Sequence, residues 1–113
     1  MPLSPTQLTL RHLREDPRFT RIEVVERWNP HARIRQDLFG VVDVLAIGPG
    51  ITLAVQCTSA GGVSARKRKL SEADATRDLL RAGWLVEIHG WAKRSHKWEL
   101  TRYYRFELDE QQE

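Results

Sequence analysis

The chain has 113 residues, 41% hydrophobic and 29% charged, which fits one globular domain with a hydrophobic core and excludes a disordered or two-domain protein. A single cysteine excludes a disulfide scaffold, four scattered histidines without ligand spacing exclude a structural zinc site, and no apolar run reaches the length of a transmembrane helix. The net charge of +3 hides an asymmetry, because Glu107, Asp109, Glu110 and Glu113 put four of the 15 acids into the last seven residues and leave residues 1–106 with 18 basic against 11 acidic side chains.

In chain order, residues 5–15 read as a helix, with Ser4 as cap, Pro5 in the first turn and Pro17 as stop. Thr20–Trp28 alternates as a strand, Asn29-Pro30 is a turn, and residues 31–40 are mixed and end in glycine. Val41–Ile47 and Ile51–Thr58 flank Gly48-Pro49-Gly50 and predict a hairpin. Ser59–Gly62 is a loop, and Ser64–Arg81 is helical in two pieces, the second starting near Ser71-x-x-Asp74 and stopping at Ala82-Gly83. Trp84–Gly90 and Lys97–Phe106 are the last strands. The order α-β-β-β-α-β-β predicts an α/β (α+β) domain over residues 1–106, a mixed central sheet of about five strands flanked by helices, with 107–113 as a short acidic tail. The first fifteen residues lack the apolar stretch of a signal peptide, so an intracellular, cytoplasmic protein with no membrane partner is expected.

Asp43 is the most informative residue. It sits inside Val41–Ile47, where a charge is costly unless it is paired, hydrogen-bonded or metal-bound. The plain alternative is an edge-strand aspartate facing solvent. On the next strand the period of two puts Gln56 and Thr58 on one face and Cys57 on the other, so an in-register hairpin lets Asp43 meet Gln56. A carboxylate, an amide oxygen and a backbone carbonyl suit a hard cation such as magnesium; a hydrogen-bonded polar ladder is the plain alternative. Cys57 itself reads as packing rather than a nucleophile.

The stretch from Gly40 through Asp43 to Gln56, Thr58 and Ser59 resembles the core of the PD-(D/E)XK phosphodiesterase superfamily, especially small Holliday-junction resolvase-like and phage proteins. Trp28-Asn-Pro, Ile34–Gly40 and His89–Lys93 also resemble the phage members. The resemblance covers roughly residues 5–93 and implies a restriction-endonuclease-like core that cuts nucleic acid with Mg²⁺ or Mn²⁺. It puts Asp43 at the metal-binding aspartate, Gln56 at the glutamate, Thr58 at the lysine and Ser59 at the following serine, with Glu26 or Glu23 as the upstream acid. Gln56 brings no charge and Thr58 no ammonium, so two of the three signature positions depart from the pattern. Lys69, which shares a helix face with Arg66, is the preferred substitute for the lysine, and Lys93 the second choice. The implied metal set is Asp43, Gln56 and Cys57 with Asp37 and Glu26; the implied catalytic set is Asp43, Gln56, Thr58 and Lys69. The resemblance also implies a homodimer, since two cuts on a symmetric junction need two sites.

Arg33, Arg35, Arg66, Lys67, Arg68, Lys69 and Lys93 are candidate phosphate contacts, DNA being the expected partner; a solvated basic face is the plain alternative. Trp28, Trp91 and Trp98 are candidate base-stacking residues or core anchors. Three functions fit: a metal-dependent nuclease, a nucleic-acid-binding protein on the same fold that has lost cleavage, and a protein-interaction domain.

Overall fold

A computed structural model describes residues 3–108, so Asp109, Glu110 and Glu113 of the acidic tail lie outside the described residues. Helix α1 (Pro5–Arg14) starts at a reciprocal cap: the Ser4 hydroxyl accepts from the Gln7 amide and the Gln7 side chain accepts from the Ser4 amide. Strands β1 (Arg21–Val24), β4 (Val44–Gly48), β5 (Ile51–Ser59), β6 (Leu85–Arg94) and β7 (Lys97–Phe106) form one mixed sheet in the order β1-β4-β5-β6-β7. Only β5 and β6 are parallel, because the chain crosses over between them through a 3₁₀ turn (Ala60–Gly62), α2 (Val63–Glu72) and α3 (Asp74–Arg81). Strands β2 (Arg27–Asn29) and β3 (Ile34–Gln36) pair as a separate arm.

The sheet has a core on each face. Leu13 of α1 packs on Val44, Ala46, Leu53, Val55 and Cys57; Val63 and Leu70 of α2 and Leu79 of α3 pack on Ala54, Val86 and Ile88. Ala54 and Val55 are neighbours in β5, so α1 and the α2–α3 pair cover opposite faces. Gly90 fixes the second layer, since a Cβ there would fall on the Val63 side chain; its absence lets the start of α2 lie directly on β6.

Several predicted elements need correction. Thr20–Trp28 is not one strand: it leaves the sheet at Val25–Glu26, and β2 turns out to pair with β3, which the reading of 31–40 did not contain. The arm turns at Asn29, whose side-chain oxygen accepts from the His31 and Ala32 amides. Regular pairing of the predicted 41–47 strand starts only at Val44, although the Asp43 amide still donates to the Val55 carbonyl at 2.9 Å. Strand β6 runs four residues beyond Gly90, past a register shift at Gly90/Trp91. The helical stretch breaks at Ala73, where the backbone is extended, and the Ser71 hydroxyl donates to the Arg68 carbonyl instead of capping α3. No helix is long and apolar enough to cross a membrane among the described residues.

Candidate metal centre and nucleic-acid interface

The two-residue turn Pro49-Gly50 sets Gly48 opposite Ile51 and Val44 opposite Val55. One step further along the hairpin, Asp43 and Gln56 face each other toward the α2–α3 side. The Asp43 Oδ2 accepts from Gln56 Nε2 at 2.5 Å and from the Cys57 amide at 2.8 Å. Gln56 Nε2 also donates to Asp37 Oδ2 at 3.1 Å. Asp37 follows β3, and Glu26 occupies the corner where the chain leaves β1 for the arm. Carboxylate oxygens of Glu26, Asp37 and Asp43 all lie within 4.8 Å of one another.

Cations reach this cluster from two directions. Lys69 Nζ of α2 lies 3.5 Å from Asp37 Oδ2, and Arg35 Nη1 of the arm lies 3.4 Å from Glu26 Oε1. Both cations remain largely exposed, so each is free to meet a phosphate. Arg35 and Lys69 line a cleft of about 340 Å³ with Gln36, Asp37 and Gly40.

Burial and crowding of like charges set the electrostatics. Asp43 is 5% exposed. Burial, followed by its hydrogen bond with Asp37, pushes its carboxyl up to about 7 against the opposing pull of the Cys57 amide. Burial also works against ionised Asp37, but hydrogen bonds from Asp43 and Gln56 and the charge of Lys69 hold it below its ordinary value. Near neutral pH the pair therefore shares one proton, in a space that favours positive charge.

The donor set fits a hard cation: three carboxylates and an amide. Gln56 supplies an independent sign. It is 1% exposed, its Nε2 bridges two carboxylates where a cation would neutralise them, and its Oε1 is buried with no hydrogen-bond partner. Rotating the amide exchanges the two atoms and turns an oxygen ligand toward the carboxylates.

The other predicted residues divide clearly. Cys57 does not offer sulfur to the cluster: its backbone amide addresses Asp43, while its thiol packs in the α1-side core and is pushed up to about 12 by burial. Thr58 shares the Gln56 face, but its hydroxyl lies against Gly62 at the start of α2, where a Cβ on residue 62 would collide with it. Glu23 is opposite Leu45 in the sheet and outside the acidic group; Glu26 is the upstream acid that converges. Lys93 belongs to the far end of the β6–β7 hairpin, 6.0 Å from the Trp98 ring. Arg33 is exposed in the arm turn with a φ of 55°, Lys67 lies 4.1 Å over the Tyr104 ring, and Arg66 and Arg68 are on the α2 surface. Trp91 is a core anchor whose indole N–H donates to Thr9, whereas Trp28 and Trp98 are exposed.

Sequence reasoning missed a second polar centre on the α1 face. Glu87 accepts from Tyr103 and Arg105 and pairs with His89 Nε2 at 3.0 Å, and His89 Nδ1 lies 3.4 Å from the Thr9 hydroxyl. Alternation along β6 was the available signal, since it sets Glu87 and His89 on one face of an otherwise apolar strand.

No protein-family model matches the chain, and no curated protein or solved structure matches it.

Proposed function

We propose that the protein is a metal-dependent nucleic-acid phosphodiesterase with a restriction-endonuclease-like core, acting on DNA, including branched forms such as Holliday junctions. The observation that carries this reading is the convergence of Glu26, Asp37 and Asp43 on Gln56, with Lys69 arriving from α2. Glu26, Asp37, Asp43 and Gln56 are the residues that would hold Mg²⁺ or Mn²⁺, which would supply Lewis-acid polarisation of the phosphate and a more acidic attacking water. Water adds to phosphorus, one P–O ester bond breaks, and the products are a phosphate monoester and an alcohol. Lys69, in salt-bridge range of Asp37 and still half exposed, takes the cationic role that Thr58 cannot fill, pairing with a phosphate oxygen as charge builds there. Arg35 and the α2 surface residues Arg66, Lys67 and Arg68 add phosphate contacts that give affinity without base specificity. A homodimer on a symmetric junction belongs to the same reading.

A second reading, a binding protein of the same fold without cleavage, is favoured by one feature: Gln56 brings no charge to a position where a carboxylate would strengthen the cation site. Incubating the protein with four-way junction, duplex and single-stranded DNA in Mg²⁺ or Mn²⁺ separates them. Metal-dependent cleavage that Asp43→Ala abolishes supports the phosphodiesterase. Salt-sensitive binding without cleavage supports the second reading, and neither binding nor cleavage ends both.

A further inference from the structure

Large apolar side chains are exposed beside the acidic cluster. Val24 is 41% exposed, Trp28 59%, Ile34 52% and Phe39 60%. Phe39 is the least expected of them. It occupies the turn Leu38–Val41, closed by the Val41 amide on the Leu38 carbonyl at 3.1 Å, with φ of 56° at Phe39 and 77° at Gly40. Two consecutive positive φ angles suit glycine, asparagine or aspartate, and a bulky side chain there is strained. Phe39 thus gains neither burial nor a comfortable backbone, and strain of this kind gathers at ligand sites. Its ring meets Trp84 at a centroid distance of 6.5 Å and leaves its remaining surface open.

Phe39, Val24, Val25 and Leu38 wall a cleft of about 480 Å³, with Arg27, Gln36 and Asp37 at its polar side. Gln36 and Asp37 also line the cationic cleft of Arg35 and Lys69. Asp37 is therefore a ridge between an apolar hollow with hydrogen-bonding groups at its rim and a basic hollow. A nucleotide carries the same pair of chemistries, a flat base with polar edges joined to a phosphate. A base held in a continuous duplex keeps its faces stacked and has none to offer such a hollow.

We infer that the apolar cleft seats one unpaired nucleobase of the substrate, between Phe39 and the Val24–Val25 wall with its edge at Gln36, while the adjoining phosphate lies toward Arg35 and Lys69. This rests on the phosphodiesterase reading and narrows it to nucleic acids that have a nucleotide outside the helical stack.

The test is fluorescence anisotropy of the full chain in EDTA with four DNA probes: a single strand, a continuous duplex, a duplex with one bulged nucleotide, and the same bulge made abasic. The single strand and the bulge are expected to bind about 10-fold more tightly than the duplex or the abasic bulge. Phe39→Ala should weaken bulge binding about 5- to 100-fold and leave duplex binding unchanged, and Phe39→Trp should restore it. Phe39→Gly removes the backbone strain, so it keeps the fold and still loses the preference. Equal affinity for the bulge and its abasic form overturns the inference, as does an equal loss on duplex. Conversion of a dimer to a monomer by Phe39→Ala in sedimentation also overturns it, because the face is then a contact between copies. Base-dependent binding with no cleavage in Mg²⁺ or Mn²⁺ refutes the phosphodiesterase and keeps the cleft. Equal cleavage of bulge and duplex does the reverse, and no binding to any probe ends both.

Discussion

Asp43 and Glu87 are buried almost equally, 5% and 4% exposed, on opposite faces of the same sheet, yet their acidities move in opposite directions. Burial raises both. Around Glu87 it is outweighed by hydrogen bonds from His89, Tyr103 and Arg105, which draw the carboxyl down to about 2. Around Asp43 the strongest neighbour is another carboxyl, and its value is pushed up to about 7. Glu87 has its cation in the chain, with Arg105 Nη2 at 2.7 Å, whereas the Asp43 group relies on an amide nitrogen and a lysine at its rim. A carboxylate whose partners are all supplied by the fold is part of the fold. The Asp43 cluster brings three acids together with only the exposed Lys69 and Arg35 at its rim, so its charge is only partly compensated by the fold.

The sharpest way to break this contrast is to neutralise each acid without changing its shape. Asp43→Asn should lower metal-dependent cleavage by about 1,000-fold or more while the protein stays folded. Glu87→Gln should do the opposite, costing about 3 kcal/mol in urea unfolding because it strands Arg105 and His89, with cleavage per folded molecule preserved. If both changes cost only stability, the acidic cluster is structural too.

Next in size is Lys69. Lys69→Ala should reduce turnover about 100-fold and Lys69→Arg much less, as read in single-turnover assays, since a charge rather than a shape is being removed. Equal activity of all three proteins would remove Lys69 from the mechanism.

Protons sharpen the comparison further. Folded Glu87 titrates near 2 against an ordinary 4.5, so its stabilisation is complete above about 4.5 and is lost as pH falls toward 2. Folded Asp43 titrates near 7 against 3.8, so between those values the folded state binds more protons and metal-free stability declines as pH rises. Asp43→Asn should therefore raise the metal-free Tm at pH 8 and leave it nearly unchanged at pH 3, whereas Glu87→Gln should lower it at pH 8 and much less at pH 3. Thr9→Val gives the smallest effect, about 1 kcal/mol, because the Trp91 indole and His89 each lose their partner in α1.

The Asp43–Gln56 pair was legible in the sequence as the outcome of an in-register hairpin; the turn is Pro49-Gly50, one residue shorter than the Gly48-Pro49-Gly50 expected, and this sets the two side by side. Lys69 was legible because a basic run on a helix following that hairpin has one face toward the sheet. Glu26 was legible as a member of the metal set, with Glu23 as its rival, but the cause of its convergence was not: the chain leaves β1 after Val24, and nothing in the alternation through Trp28 marks that exit. The arm was hidden for the same reason, since its strands are three residues each and mostly exposed. Cys57 entered the implied metal set although strand alternation already turned its side chain to the other face, and the structure keeps its thiol in the α1-side core. The Glu87 network escaped because Arg105 is 18 residues away in β7 and Thr9 lies in α1.

Direct titration of Mn²⁺ into the protein, followed by electron paramagnetic resonance at pH 8, tests the central claim most directly. The account predicts saturable binding that Asp43→Asn abolishes and Glu87→Gln leaves intact. Binding that survives Asp43→Asn, or no binding by the unaltered chain at millimolar Mn²⁺, would contradict it.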